Sequence, residues 1–180
     1  RHVAEAMTQR RNNRNKPFTS ATFSKRVDHE AGRHRQPRSP GEPRRCVSCG
    51  AVFVNRRWTT VDSTVADSRP AHKTVCPACK QKRAGEPRGF VFLDGAFFVE
   101  HQKEVQRLVR NEAARAAEDN PLARILEYKE SKDHQLTVST TTEHLAQRLG
   151  HALEKAFGGL VHYDFSHENK LARVSWRREH

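Results

Sequence analysis

The chain has 180 residues, 33 Lys/Arg against 21 Asp/Glu and a formal net charge of +12, with only 35% apolar residues. That is too polar for one compact core to take in the whole chain, and the longest apolar run, residues 89–99, is too short to span a bilayer. The excess charge is local: residues 1–45 hold 12 Lys/Arg against 4 Asp/Glu, residues 46–88 hold 8 against 3, and residues 89–180 hold 13 against 14. A polycationic first half joined to a neutral second half is the footprint of a polyanion partner, which RNA, DNA or an anionic membrane all satisfy.

Residues 1–44 read as a basic tail. Arg10, Arg11, Arg14, Lys16, Lys25, Arg26, Arg33, Arg35, Arg38 and Arg44 stand among polar residues, and Pro37, Pro40 and Pro43 punctuate the second half. The stretch lacks apolar periodicity, so it is expected to be disordered when free and to engage nucleic acid rather than merely solubilise the chain. It shows no apolar leader, and with reduced cysteines this places the expected compartment in the cytoplasm.

Residues 45–88 contain all four cysteines, as Cys46-Val47-Ser48-Cys49-Gly50 and Cys76-Pro77-Ala78-Cys79-Lys80. Each Cys-x-x-Cys turn aims two sulfurs at one point, and two such knuckles supply the four soft ligands of a closed tetrahedral zinc site. A thioredoxin-like redox motif needs one pair rather than two, disulfides suit a secreted chain, and an Fe–S cluster takes the same four thiolates. Zinc bound by Cys46, Cys49, Cys76 and Cys79 is the expectation, in a structural role without chemistry of its own. Between the knuckles, Val52–Asn55 alternate and Trp58-Thr59-Thr60-Val61 follow Arg56-Arg57, which predicts a zinc-ribbon hairpin. Arg45, Arg56, Arg57, Lys80, Lys82, Arg83 and Arg88 give the module a basic rim. Trp58 is a candidate for stacking on a base, although packing across a small zinc core suits it better.

In residues 89–121, Asp94-Gly95 within Phe90–Val99 predicts a type I′ hairpin, and Glu100–Asp119 predicts a helix with Val105, Leu108, Val109, Ala113 and Ala116 on one face. Glu100, His101 and Glu104 stand at helical spacing but have no partner motif, so a solvated face is expected. Residues 122–180 predict a ββαββ unit: strands at 125–130 and 134–139, a capping box from Thr140 to Glu143, a helix, then two alternating strands. The helix stripe is Leu145, Leu149, Ala152, Leu153, Ala156 and Phe157, with Gly150 marking close helix–sheet packing. The uncovered sheet face is expected to show Thr137, His162, Asp164, Arg173, Ser175 and Arg177, with no aromatic available for base stacking. The fold class is therefore α+β: a basic tail, a four-cysteine zinc ribbon, a β-hairpin plus helix, and a C-terminal ββαββ unit.

No P-loop, dinucleotide glycine fingerprint, nucleophile elbow or His-Glu-x-x-His is present, so an enzyme is not expected. The order Cys46-x-x-Cys49-Gly50, Trp58, Cys76-Pro77-x-Cys79 and Gly89-Phe90-Val91 resembles a bacterial family of small zinc-ribbon proteins without an established activity. Leu108–Glu112 and Thr140–Leu153 carry the same resemblance, which covers about residues 45–178. More distantly, the paired knuckles and the Phe157-Gly158 segment are similar to the archaeal and eukaryotic large-subunit export adaptor named for nonsense-mediated decay. That resemblance implies a zinc module docked on the ribosomal large subunit, with large-subunit proteins as further partners. The expectation is a ribosome-binding, rRNA-binding zinc protein, a hibernation or stress factor whose tail occupies an RNA-lined channel. A DNA-binding or transcription-associated zinc ribbon is the alternative. Neither a membrane nor a small-molecule substrate is expected.

Overall fold

The computed structural model describes residues 43–60 and 71–180. The basic tail up to residue 42 and most of the polar excursion between the knuckles lie outside the described residues.

The N-terminal module is a small sheet of β1 (Arg44–Cys46), β2 (Val52–Val54), β3 (Arg57–Thr59) and β4 (His72–Thr74), in the order β3-β2-β1-β4. The expected hairpin is β2–β3. Asn55 and Arg56 both take positive φ, 51° and 61°, and Val54 pairs with Arg57, which is the two-residue turn whose twist matches the strands it joins. Arg44, placed in the tail by sequence, already belongs to β1, which pairs antiparallel with β2 and parallel with β4. After β4, Cys76 caps α1 (Pro77–Ala84) by accepting from the Cys79 amide, and Pro77 occupies the first turn, where its missing N–H leaves no hydrogen bond unmade.

The second sheet joins β5 (Gly89–Asp94), β6 (Ile125–Glu130), β7 (Leu136–Thr140), β8 (Leu160–Ser166) and β9 (Leu171–Arg177) in the order β6-β7-β5-β9-β8. The ββαββ segment is therefore completed by a strand from outside it: β5 enters the middle, antiparallel to β7 and parallel to β9. This corrects the hairpin expected at Phe90–Val99. Gly95 adopts φ 101°, the Asp94 carboxylate accepts the Gly95 amide at 2.7 Å, and the chain turns into α2 (Ala96–Glu100) instead of doubling back. Both edges of β5 are taken by distant strands, and Phe98 is buried while Phe97 lies among Phe157 and Trp176.

The single helix expected at Glu100–Asp119 is likewise two. α2 ends at Glu100, and α3 (Gln102–Asp119) starts after His101, whose φ of −118° is not helical. The predicted apolar face holds: Val105, Val109 and Ala116 are buried, with Leu108 and Ala113 packed beside them. α4 (Glu143–Phe157) is capped by Thr142, whose hydroxyl accepts the Leu145 amide at 3.1 Å; Thr140, expected as the cap, instead ends β7 and donates to the Thr142 carbonyl. Leu145, Leu149 and Leu153 are fully buried over the sheet, while Ala156 falls outside the stripe. Gly150 does mark close packing, since a Cβ there would sit 2.4 Å from Val174 Cγ1. Trp176, fully buried, donates through Nε1 to the Gly158 carbonyl at 2.7 Å.

Candidate metal centre and basic rim

The two knuckles close on one point. The Gly50 amide donates to the Cys46 carbonyl at 2.9 Å and the Cys46 amide to the Ala51 carbonyl at 2.8 Å, with Gly50 at φ 79°, the left-handed turn that folds the first pair back on itself. The second pair uses the start of α1. Its position after a strand and at the head of a helix is that of a redox motif, but its sulfurs converge on those of the first pair, and all four cysteines are free thiols. The four Sγ atoms lie within 4.8 Å of one another, and Cys49 and Cys76 stand 3.7 Å apart. A Zn–S bond of about 2.3 Å gives a tetrahedron with edges of about 3.8 Å, so the set fits one zinc ion and leaves no room for a multi-iron cluster.

The surroundings suit thiolates. The Cys46 sulfur accepts the Cys76 amide at 3.3 Å, and Cys76 accepts the Cys79 amide at 3.4 Å. Burial raises the Cys46 thiol, but amide hydrogen bonds from Cys76, Cys49 and Ser48 outweigh it and bring it down to about 6. Burial pushes Cys76 up to about 12; the Cys79 amide and the charge of Arg124 pull against this, while the Cys79 and Cys49 thiols add to it. A dication among four sulfurs supplies the charge that lets all of them ionise. Cys46, Cys49, Cys76 and Cys79 would hold zinc in a closed site, where it contributes folding energy and polarises no substrate.

One ligand-facing residue has no local signal in the sequence. Arg124, 45 residues beyond the last cysteine, donates through Nη2 to Cys49 Sγ at 3.0 Å and through Nη1 to Cys79 Sγ at 3.4 Å. Nη2 also lies 3.8 Å from Cys76 Sγ. Burial opposes the Arg124 charge, but the sulfurs of Cys49, Cys79 and Cys76 hold its proton more firmly than usual. Leu122 packs into the cysteine cluster beside it, so the centre is walled by the C-terminal unit as well as by its own module.

Trp58 packs on the same cluster, 5.4 Å from Phe53, and its Nε1 is buried without a partner among the described residues. Its half-buried ring packs against the edge of the cluster. Around it Arg45, Arg56, Arg57, Lys80, Lys82, Arg83 and Arg88 are exposed and Arg44 is half-buried over the Phe53 ring. Arg83 donates to Ser48 Oγ at 2.8 Å; none of these cations is ion-paired with a carboxylate among the described residues. Residues 45–88 carry nine Lys/Arg against Asp62, Asp67 and Glu86, a balance of +6. Arg10, Arg11, Arg14, Lys16, Lys25, Arg26, Arg33, Arg35 and Arg38 lie outside the described residues.

The open sheet face differs from expectation. Thr137, His162, Asp164, Arg173, Ser175 and Arg177 do share it, but β5 adds Phe90 and Phe92 at its centre. Their rings stack at 6.2 Å and 19°, both half-buried, on the side away from Val91 and Leu93 and hence from the core. Phe90 stands in register with Arg173 and Ser139, and Phe92 with Ser175 and Thr137. The aromatic pair was missed because β5 was assigned to a hairpin of its own. His101 Nδ1 lies 3.7 Å from the Glu104 carboxylate on an exposed face.

Comparison with protein-family models, with curated proteins and with solved structures finds no match. No helix among the described residues is long and apolar enough to cross a membrane.

Proposed function

We propose that the chain is a non-enzymatic, ribosome-binding zinc protein, in which the four-cysteine module lies on ribosomal RNA and residues 1–44 follow an RNA-lined channel. The observation that carries this reading is the rim: in a module with nine Lys/Arg against three Asp/Glu over residues 45–88, the exposed rim cations pair with no carboxylate among the described residues. Each such cation that meets a phosphate releases a condensed counterion, which gives affinity without sequence readout. The 12 Lys/Arg of residues 1–45 extend the same charge along the chain. Occupation of a translation channel by that segment would silence the ribosome, which is the basis for a hibernation or stress role.

Crosslinking in cells followed by sequencing tests the partner. Enrichment of ribosomal RNA is expected; recovery of genomic DNA instead would replace this reading with a DNA-binding zinc ribbon. For the silencing role, the full chain should inhibit translation in vitro, and the chain lacking residues 1–44 should not. Equal inhibition by both would remove the channel from the account.

A further inference from the structure

Arg124 joins two parts of the protein at atoms that have separate tasks. Its guanidinium donates to Cys49 and Cys79 and approaches Cys76, contacting sulfurs from both knuckles. Its Nε donates to the Pro121 carbonyl at 2.6 Å, which fixes the fork's orientation. Its backbone is tied to the end of β7: the Arg124 amide donates to Thr141 Oγ1 and the Thr141 amide to the Arg124 carbonyl, each at 2.9 Å. Thr141 in turn donates through Oγ1 to the Leu122 carbonyl, and its own carbonyl accepts Gln81 Nε2 at 2.9 Å. Gln81 belongs to α1, the helix that Cys76 caps. A closed circuit thus runs from the sulfurs through Arg124 and Thr141 to α1 and back to the sulfurs.

The charge balance gives the circuit a purpose. Four thiolates around one dication carry a net charge of −2, and a half-buried centre of that charge needs a counter-ion or hydrogen-bond donors at sulfur. The backbone amides of Cys76 and Cys79 supply dipoles; among the described residues Arg124 is the full positive charge that donates to these sulfurs. A guanidinium suits this better than an ammonium, because its planar fork reaches two acceptors at once and keeps its proton.

We propose that Arg124 is the counter-ion of the metal–thiolate centre and couples zinc occupancy to the seating of the C-terminal sheet on the zinc module. This rests on the reading that the four cysteines hold zinc. Because coupling of this kind is reciprocal, zinc tightens the junction at residues 121–125 and 141, and the seated junction tightens zinc binding by the same factor. Arg124 is a positioning residue: it acts on the metal through sulfur and on the junction through its backbone.

The test uses the full chain loaded with zinc, as wild type, Arg124→Gln and Arg124→Lys. Zinc transfer to a chromophoric chelator is measured alongside the sulfur-to-metal charge-transfer bands of the cobalt(II)-substituted forms. Loss of an outer-shell partner typically weakens metal binding by about 10–100-fold. Arg124→Gln is therefore expected to lie in that range with shifted cobalt bands, and Arg124→Lys to recover part of the loss. Hydrogen exchange at residues 122–128 and 141 should rise when zinc is removed from wild type, and should be already raised and zinc-independent in Arg124→Gln. Should Arg124→Gln fail to fold, Arg124→Lys, which keeps the charge and loses the fork, decides by the same bands and rates. Zinc transfer within twofold of wild type with unshifted bands in the folded variant overturns the counter-ion assignment. A wild-type chain that takes up neither zinc nor cobalt instead overturns the metal reading beneath it.

Discussion

The zinc module and the C-terminal unit hold their arginines in opposite ways. In the C-terminal unit Arg148 bonds Glu112 at 2.8 Å and reaches Asp119 at 3.5 Å, Arg177 bonds Asp94 at 3.2 Å and also Glu179, and Arg115 reaches Glu112. In the zinc module the exposed cations face solvent without a carboxylate among the described residues. The cores differ in the same sense. Trp176, Phe98, Leu93, Leu145, Leu149 and Leu153 are fully buried in one unit, while the other gathers small residues and cysteines with Trp58 at the edge. One unit is held by apolar burial and pairs Arg115, Arg148 and Arg177 with its own carboxylates. The other has less apolar mass, gathers around its sulfurs, and leaves its rim cations facing solvent.

Removing one sulfur breaks this comparison most severely. Structural zinc contributes an apparent binding free energy of about 10–16 kcal/mol near pH 7, so Cys46→Ser should unfold residues 44–60 and 72–85 and release the metal. In an amide NMR spectrum the signals of β1–β4 should collapse while those of Val91, Val138 and Val174 persist. Loss of both sets would show that the units do not differ as described. The converse is Trp176→Ala, which removes a fully buried ring and orphans the Gly158 carbonyl. It should cost about 3–5 kcal/mol by denaturant unfolding of the C-terminal unit while zinc content stays at one per chain. Gly150→Ala sharpens the same point with a smaller effect, about 1–3 kcal/mol, because the new methyl meets Val174 Cγ1 at 2.4 Å. A neutral result there would mean that α4 is not pressed onto β9.

Some of this layout was readable in the amino-acid order and some was not, for definable reasons. Cysteine spacing, the hairpin between the knuckles and the Leu145–Leu149–Leu153 stripe are local patterns, and each sits where it was expected. The hairpin at Asp94-Gly95 failed because the same dipeptide serves a helix start, and the partner that decides between them is β9, about eighty residues away. Once β5 lies between β7 and β9, Phe90 and Phe92 are placed on the open face by their register with Thr137, Ser139, Arg173 and Ser175. Arg124 escaped notice for a related reason. Nothing in its neighbours marks it as a ligand partner; the contact with Cys49 closes 75 residues of chain.

The smallest effect concerns Phe90 and Phe92, which stand in the unit that has no net basic excess. Base stacking on an aromatic ring is worth about 1–3 kcal/mol per base, and for half-buried rings we expect the lower end. The Phe90→Ala, Phe92→Ala double variant should weaken single-stranded RNA binding by about 30-fold and leave duplex binding unchanged, as read by filter binding or anisotropy. An equal loss on both substrates would remove the stacking role and leave the rings as filler on the sheet.

The central claim, that the zinc-held rim is the surface that meets RNA, is tested most directly by ribosome co-sedimentation of a rim-neutralised chain. Arg45, Arg56, Arg57, Lys80, Lys82, Arg83 and Arg88 would all be changed to Gln, with zinc content and melting temperature measured on the same sample. The exposed positions predict a folded, zinc-loaded protein whose stability changes little, by roughly 0.5 kcal/mol per site or less. Such a protein should fail to pellet with ribosomes at moderate salt while wild type does. Undiminished pelleting of the folded variant would contradict the account.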